Sequence, residues 1–200
     1  MKLFQLSKRI IQKIEVYSHP HLRRFRNIHG HLSEYEGLTL YRCAKGLKPN
    51  SNIVEVGSFR GRSANYVCAG IDKPGTKLYC IDIWVKTNTP GSTDDDQIVF
   101  VKNTKEFSNL VIAFKGTSRG FASWFSGKID LVFIDADHSY EGCKEDIVQL
   151  LPLTKRNAFV LFHDYGNPCG VKDAVDEFVR KRKLAKVDLK HSICVCKKIL

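Results

Sequence analysis

The segment Ile53-Val54-Glu55-Val56-Gly57-Ser58-Phe59-Arg60-Gly61-Arg62-Ser63 constrains this chain more than any other. Ile53, Val54 and Val56 are β-branched and apolar, as a strand buried on both faces requires. Gly57 and Gly61 then allow backbone angles and close approaches that a Cβ would block. Ser63 stands where a helix would begin. A strand, a tight glycine turn and a helix start make the cradle in which open α/β sheets hold ligands, at the carboxyl end of a strand. Glu55 sits inside the apolar run, where an unpartnered carboxylate would be costly.

The rest of the chain extends this unit. After residue 33 strand and helix signals alternate, with no Pro/Gly/Ser-rich linker and no internal repeat. Strands are expected at 52–57, 77–84, 110–114, 129–134 and 158–162, with two closing strands at 186–190 and 192–198. Helices are expected at 33–44, 63–70, 94–107, 119–125, 140–150 and 171–184. This pattern predicts a mostly parallel sheet covered by helices on both faces, ending in an antiparallel edge hairpin. Two hundred residues suit one such domain. Lys86–Asp96 is polar and reads as a mobile lid, and Gly166–Gly170 as a turn-rich loop beside the site.

No apolar run approaches the ~20 residues of a membrane-spanning helix, and no signal peptide is expected. The seven cysteines are scattered through apolar contexts, which favours reduced, buried thiols in a cytoplasmic protein. Cys194 and Cys196 share a strand face but have no second ligand pair at zinc spacing.

The net charge of +11 is uneven. Residues 1–31 carry seven Lys or Arg against the single acid Glu15. Leu3, Leu6, Ile10, Ile14 and Tyr17 fall on one helical face. Residues 1–32 therefore read as a basic amphipathic extension ahead of a domain at 33–200. Its apolar face would cover the domain or a second subunit, or lie on an anionic surface such as the inner membrane. Nucleic acid is not expected, because no binding motif accompanies the charge.

The turn is not a dinucleotide fingerprint. G-x-G-x-x-G would need a glycine at position 59, where Phe59 stands, and no phosphate-binding P-loop pattern occurs. Asp82, 25 residues after Gly57 and near the end of the second strand, is placed to accept hydrogen bonds from ribose hydroxyls.

Together with Tyr79–Trp84, Phe133-Ile134-Asp135-Ala136-Asp137-His138-Ser139-Tyr140-Glu141-Gly142, Phe162-His163-Asp164-Tyr165 and Gly170–Phe178, the turn resembles class I S-adenosylmethionine-dependent methyltransferases. The likeness runs over about 33–198. It is closest to the bacterial branch holding the macrocin- and novobiocin-type sugar O-methyltransferases, and more distant from catechol O-methyltransferase. The resemblance implies a Rossmann-like three-layer α/β/α sandwich with a seven-stranded, mostly parallel sheet. It implies methyl transfer to a hydroxyl of a small-molecule, sugar or glycan-linked acceptor.

Position by position, it implies that Gly57, Ser58 and Gly61 pass under the methionine end of the cofactor. Ser63 would bind its carboxylate, Glu55 its amino group through the loop, and Asp82 the ribose. Glu36, on the helix before the first strand, would help at the methionine end. Relatives usually place a polar or acidic adenine contact after the third strand. Here Lys115-Gly116-Thr117-Ser118 has no acid, and Ser118 stands in. Asp135, which is also near the cofactor, would join His163 and Asp164 around Mg²⁺ or Mn²⁺. The macrocin type has Asp-Asp and the catechol type Asp-Asn where this chain has His163-Asp164. Asp137 or His138 would take the hydroxyl proton. Two alternatives stay open: a metal-independent small-molecule N- or O-methyltransferase, and a catalytically silent cofactor-binding subunit docked by its basic helix.

Overall fold

Each apolar run becomes a strand because only pairing on both edges satisfies its buried backbone. In this computed structural model, residues 15–87, 90–166 and 170–199 are described. The strands are β1 (Asn52–Val56), β2 (Lys77–Asp82), β3 (Val111–Lys115), β4 (Ile129–Ile134), β5 (Thr154–Phe162), β6 (Leu184–Lys190) and β7 (Ile193–Lys198). They form one sheet in the order β3-β2-β1-β4-β5-β7-β6. β1 to β5 are parallel, and β7 runs antiparallel between β5 and β6.

Helices α1 (Glu34–Lys45), α2 (Arg62–Gly70), α3 (Asp96–Asn103), α4 (Ser118–Trp124), α5 (Tyr140–Leu150) and α6 (Val171–Arg180) connect the strands. Their starts are written in the sequence. Ser33 caps α1 in a reciprocal pair with Glu36, Thr117 caps α4, and Ser139 caps α5. One apolar cluster joins α1 and α2 to the sheet through Leu38, Leu40, Tyr66 and Ile53. A second joins α4, α5 and α6 to its other face through Phe121, Ile147, Val175 and Val132. The three-layer α/β/α fold expected from the sequence is the fold observed.

The differences lie at element ends. β5 begins at Thr154 rather than 158: Thr154 pairs with Ile129, and a register shift with Asn157 at φ 64° separates this pair from Leu131 and Phe159. The helix expected over 94–107 is split into α3 and a short 3-10 turn, Lys105–Phe107. The basic helix expected at the start falls largely on residues 1–14, outside the described residues. Beyond it, Pro20–Asn27 forms a 3-10 helix whose Leu22 and Phe25 are buried, with Phe25 edge-on to Tyr66 of α2 at 5.3 Å. Tyr17 is exposed, under the Arg23 guanidinium.

Cys68, Cys80, Cys143, Cys194 and Cys196 are buried; Cys169 lies outside the described residues. Among the described residues no helix is long and apolar enough to cross a membrane.

Candidate active site

β1 and β4 are neighbours, yet their connections leave in opposite directions along the sheet. The gap this opens at their carboxyl ends is where such sheets bind ligands. A cavity of about 1190 Å³ lies there, larger than one small ligand usually needs. Gly57 forms its floor at φ +87°, and a Cβ built on it would stand 2.0 Å from the Asp135 carbonyl oxygen. The β1 turn and the end of β4 thus touch backbone to backbone.

Asp82 shapes the turn from the side. Its Oδ2 accepts from the Phe59 N–H at 2.8 Å and its Oδ1 from the Trp84 N–H at 2.7 Å. Phe59 and Trp84 both hold positive φ, of 44° and 42°, which is strained for aromatic residues. One carboxylate steadies both, and the Trp84 indole N–H donates back to the Phe59 carbonyl at 2.8 Å. Asp82 still lines the cavity, as do Gly57, Ser58, Gly61's neighbour Arg62, and Ser63.

Glu55 lies beneath this floor rather than on it. It is fully buried, and its Oε2 accepts from the Ser58 hydroxyl at 2.7 Å. Oε1 has no partner. Burial pushes its carboxyl up from 4.5 to about 7, against the pull of the Ser63 and Ser58 hydroxyls. A folded pKa above the unfolded one means the folded state holds the proton longer. Glu55 therefore costs the ligand-free protein stability as pH rises from about 4.5 through 7. Glu55→Gln should gain on the wild type by roughly 2 kcal/mol between pH 5 and pH 8 in urea melts. A constant difference across that range would contradict the assignment.

At the ends of β4 and β5, Asp135, His138, His163 and Asp164 each offer a donor atom within 4.8 Å of the others. His138 Nε2 is 3.2 Å from Asp135 Oδ1 and 3.6 Å from Asp164 Oδ2. His163 Nδ1 is 3.1 Å from Asp135 Oδ1 and 3.5 Å from Asp164 Oδ2. Burial alone would raise the Asp135 carboxyl, but the two imidazoles hold it below its ordinary value. Asp135 in turn raises His138, against burial. His163 is pushed up to about 11, because Asp135 and Glu36 outweigh the burial that would lower it. Its ring nitrogens are buried, with no aligned hydrogen-bond partner.

A family model described as "Methyltransferase domain" matches residues 54–165, which span both the glycine turn and this cluster. The chain belongs to the methyltransferase domain family. The class I methyltransferase resemblance of its motifs is thereby borne out. No curated protein matches the chain. Among solved structures, a putative caffeoyl-CoA O-methyltransferase from Staphylococcus aureus is similar at 15% identity and TM-score 0.70, covering 94% of this chain and 99% of that one. An O-methyltransferase from Bacillus cereus, in complex with SAH, is similar at 13% identity and TM-score 0.67, covering 93% and 90%. The O-methyltransferase TomG from Streptomyces achromogenes, involved in tomaymycin synthesis and in complex with SAM, is similar at 15% identity and TM-score 0.65, covering 94% and 89%. At such identities the likeness is one of fold.

Not every residue singled out in this methyltransferase faces the cavity. Glu36 is buried behind it. Its Oε2 accepts from the Ser33 N–H and hydroxyl, and its Oε1 from Ser192 and His191 on the β6–β7 turn. Its carboxylate joins a helix start to a hairpin and stands 3.6 Å from His163 Nε2. Asp137 lines the cavity but lies outside the four-residue cluster, and its Oδ1 accepts from the Ser139 N–H at 2.8 Å. His138 does not cap α5; Ser139 does.

Other cavity residues escaped the sequence reading. His29, Gly30, His31 and Leu32 form part of the wall, fastened by a 2.9 Å hydrogen bond from Arg62 to the Gly30 carbonyl. Asp96 ties down the segment expected to be a mobile lid. It accepts from Arg60 at 2.8 Å, from the Thr93 N–H and from the Ser92 hydroxyl, while Arg60 also donates to the Gly91 carbonyl. Asn88, Thr89 and residues 167–169 of the second loop lie outside the described residues. Asp146 of α5 also lines the cavity and accepts from the Ser118 hydroxyl at 2.6 Å. Its signal was visible: it falls on the buried stripe Cys143, Asp146, Ile147, Leu150, where an acid is out of place.

Proposed function

We propose that this enzyme transfers the methyl group of S-adenosylmethionine to a hydroxyl of a small molecule, with a sugar or glycan-linked alcohol as the acceptor class. The supporting observation is the Asp135–His138–His163–Asp164 cluster, set across one cavity from the Gly57–Ser63 turn. The turn would carry the methionine end, with Ser63 at the α2 N-terminus suited to a carboxylate. Asp82 would take the ribose hydroxyls and Ser118 the adenine. The acceptor would lie over the cluster, beside the wall of His29–Leu32.

The transfer is an in-line displacement. The acceptor oxygen forms a bond to the methyl carbon as the carbon–sulfur bond breaks, and the sulfonium leaves as a neutral thioether. The hydroxyl proton must go to a base within hydrogen-bond reach. His138 is the favoured base: its ring is at the cluster, whereas the Asp137 carboxylate is turned to the Ser139 N–H. His138→Ala should lower methyl transfer by about a hundredfold or more, and Asp137→Ala by less. Equal turnover in wild type and His138→Ala would remove His138 from this role.

Two carboxylates and two imidazoles, with the ring nitrogens of His163 lacking an aligned partner, fit a small divalent ion, Mn²⁺ better than Mg²⁺ given the nitrogens. Asp135, His163 and Asp164 would hold it, and it would supply positive charge that lowers the pKa of a hydroxyl. A second reading rests on His163. Between Asp135 at 3.1 Å and Glu36 at 3.6 Å, it can itself be the cation that neutralises these acids. A chelation experiment separates the two. Activity lost with a chelator and restored by Mn²⁺ supports the ion; activity untouched by chelation supports the imidazolium. Screening sugar and glycan alcohols for thioether product formation tests the acceptor class, and failure of every hydroxyl acceptor alongside turnover of an amine would overturn it.

A further inference from the structure

Asp146 is an acid without a task in the chemistry above. It is 8% exposed, faces the cavity from the buried side of α5, and holds the hydroxyl of Ser118 through Oδ1. Among the described residues no cation reaches it at ion-pair distance. Burial and the nearby Asp137 and Glu145 push its carboxyl up to about 6. A buried carboxylate at a cavity wall that accepts from one hydroxyl alone is costly unless a further donor arrives there. The loop after β3, Lys115-Gly116-Thr117-Ser118, carries no acid of its own. Gly116, Thr117 and Ser118 line the same part of the cavity as Gly142 and Asp146, so α5 brings an acid to the place the loop lacks one.

We infer that Asp146, oriented by Ser118, accepts the exocyclic amino group of the adenine and makes the site selective for a 6-aminopurine. This rests on the S-adenosylmethionine reading and adds to it a residue that discriminates the base. The carboxylate has a second oxygen and further lone pairs beyond those used by Ser118, enough to accept an amino hydrogen. A 6-oxopurine would turn a carbonyl oxygen toward that carboxylate. Sites built to hydrogen-bond one group reject an analogue lacking it strongly, because their buried polar atoms are left unpaired.

The test is calorimetric titration of the full chain with S-adenosylhomocysteine and with S-inosylhomocysteine, which differs only in the base. The wild type should prefer the adenosyl compound by about tenfold or more. Asp146→Asn, close in shape, should weaken adenosyl binding by about tenfold and shrink the preference to within about threefold, since its amide can face a carbonyl. Ser118→Ala, which leaves the carboxylate but frees it, should give an intermediate loss and serves if the first variant fails to fold. An undiminished preference in Asp146→Asn, or in Ser118→Ala should the first not fold, would overturn the assignment while leaving the methyl-donor reading intact. Wild-type protein that bound neither compound would overturn both.

Discussion

Gly57→Ala should unfold this protein at much lower denaturant and abolish donor binding in whatever stays folded. At φ +87° an L-residue is already strained, by about 1 kcal/mol or more. The added methyl would also lie 2.0 Å from the Asp135 carbonyl oxygen and 2.9 Å from the Ala136 Cα. These are backbone atoms of the β4 end, and they cannot rotate aside as a side chain can. The turn must move, or β4 must move and take Asp135 from His138 and His163. A cost of about 3–5 kcal/mol is expected from strain and displacement together. Gly61→Ala is the internal comparison. It has the same sign of φ, but its Cβ would first meet the Thr104 methyl at 2.9 Å, which can shift. Urea melts should rank wild type, Gly61→Ala and Gly57→Ala in that order. Equal stability of the two variants would mean the β1–β4 approach does not matter.

Glu36→Ala is expected to cost about as much, for a different reason. Removing one partner of a buried charge network leaves the rest uncompensated, typically at about 3–5 kcal/mol. Here the residue is 2% exposed and its loss would strand Ser33, Ser192, His191 and the His163 imidazole together. Burial would raise the Glu36 carboxyl, but His163, Ser192 and Ser33 hold it far below its ordinary 4.5. A depressed pKa gives stability that is complete above pH 4.5 and lost as pH falls below it. The deficit of Glu36→Ala should therefore be full at pH 7 and shrink on acidification. A deficit that stayed constant down to pH 3 would mean the carboxylate charge is not what stabilises the junction.

Much of this was legible in the sequence because strands buried on both faces leave a strong trace. Ile53–Val56 and Ile129–Ile134 are apolar but for Glu55 and Asp130, and the turn after the first needs its glycines. Thr154–Asn157 left no such trace, because only the buried Thr154 pairs before the register shift and the polar side chains of Lys155, Arg156 and Asn157 reach water. Glu36 carries a ligand role only through the family resemblance, and its partners Ser33 and Ser192 lie far apart in the chain. Only the Ser33 half, a capping box, can be read locally. Asp146 is legible only from the helix stripe Cys143, Asp146, Ile147 and Leu150, where an acid is misplaced, and not from the loop after β3, where one is absent. The His29–Leu32 wall left no trace because a long-range bond, from Arg62 to the Gly30 carbonyl, sets its place.

The β5–β7–β6 order sets a delay on the making of this enzyme. β7 inserts between β5 and β6, so the outer edge of β5 stays unpaired until nearly the last strand exists. Glu36 likewise waits for His191 and Ser192, 155 and 156 positions downstream. At a synthesis rate of roughly 5–20 residues per second, the wait of Glu36 is about eight to thirty seconds, and the β5 edge is open for roughly the last two to six of them. Over those last seconds the nascent chain would present an open apolar strand edge together with an acid lacking most of its partners. The final hairpin thus acts as a latch, and a ribosome stalled just before it would release an aggregation-prone intermediate rather than a smaller enzyme.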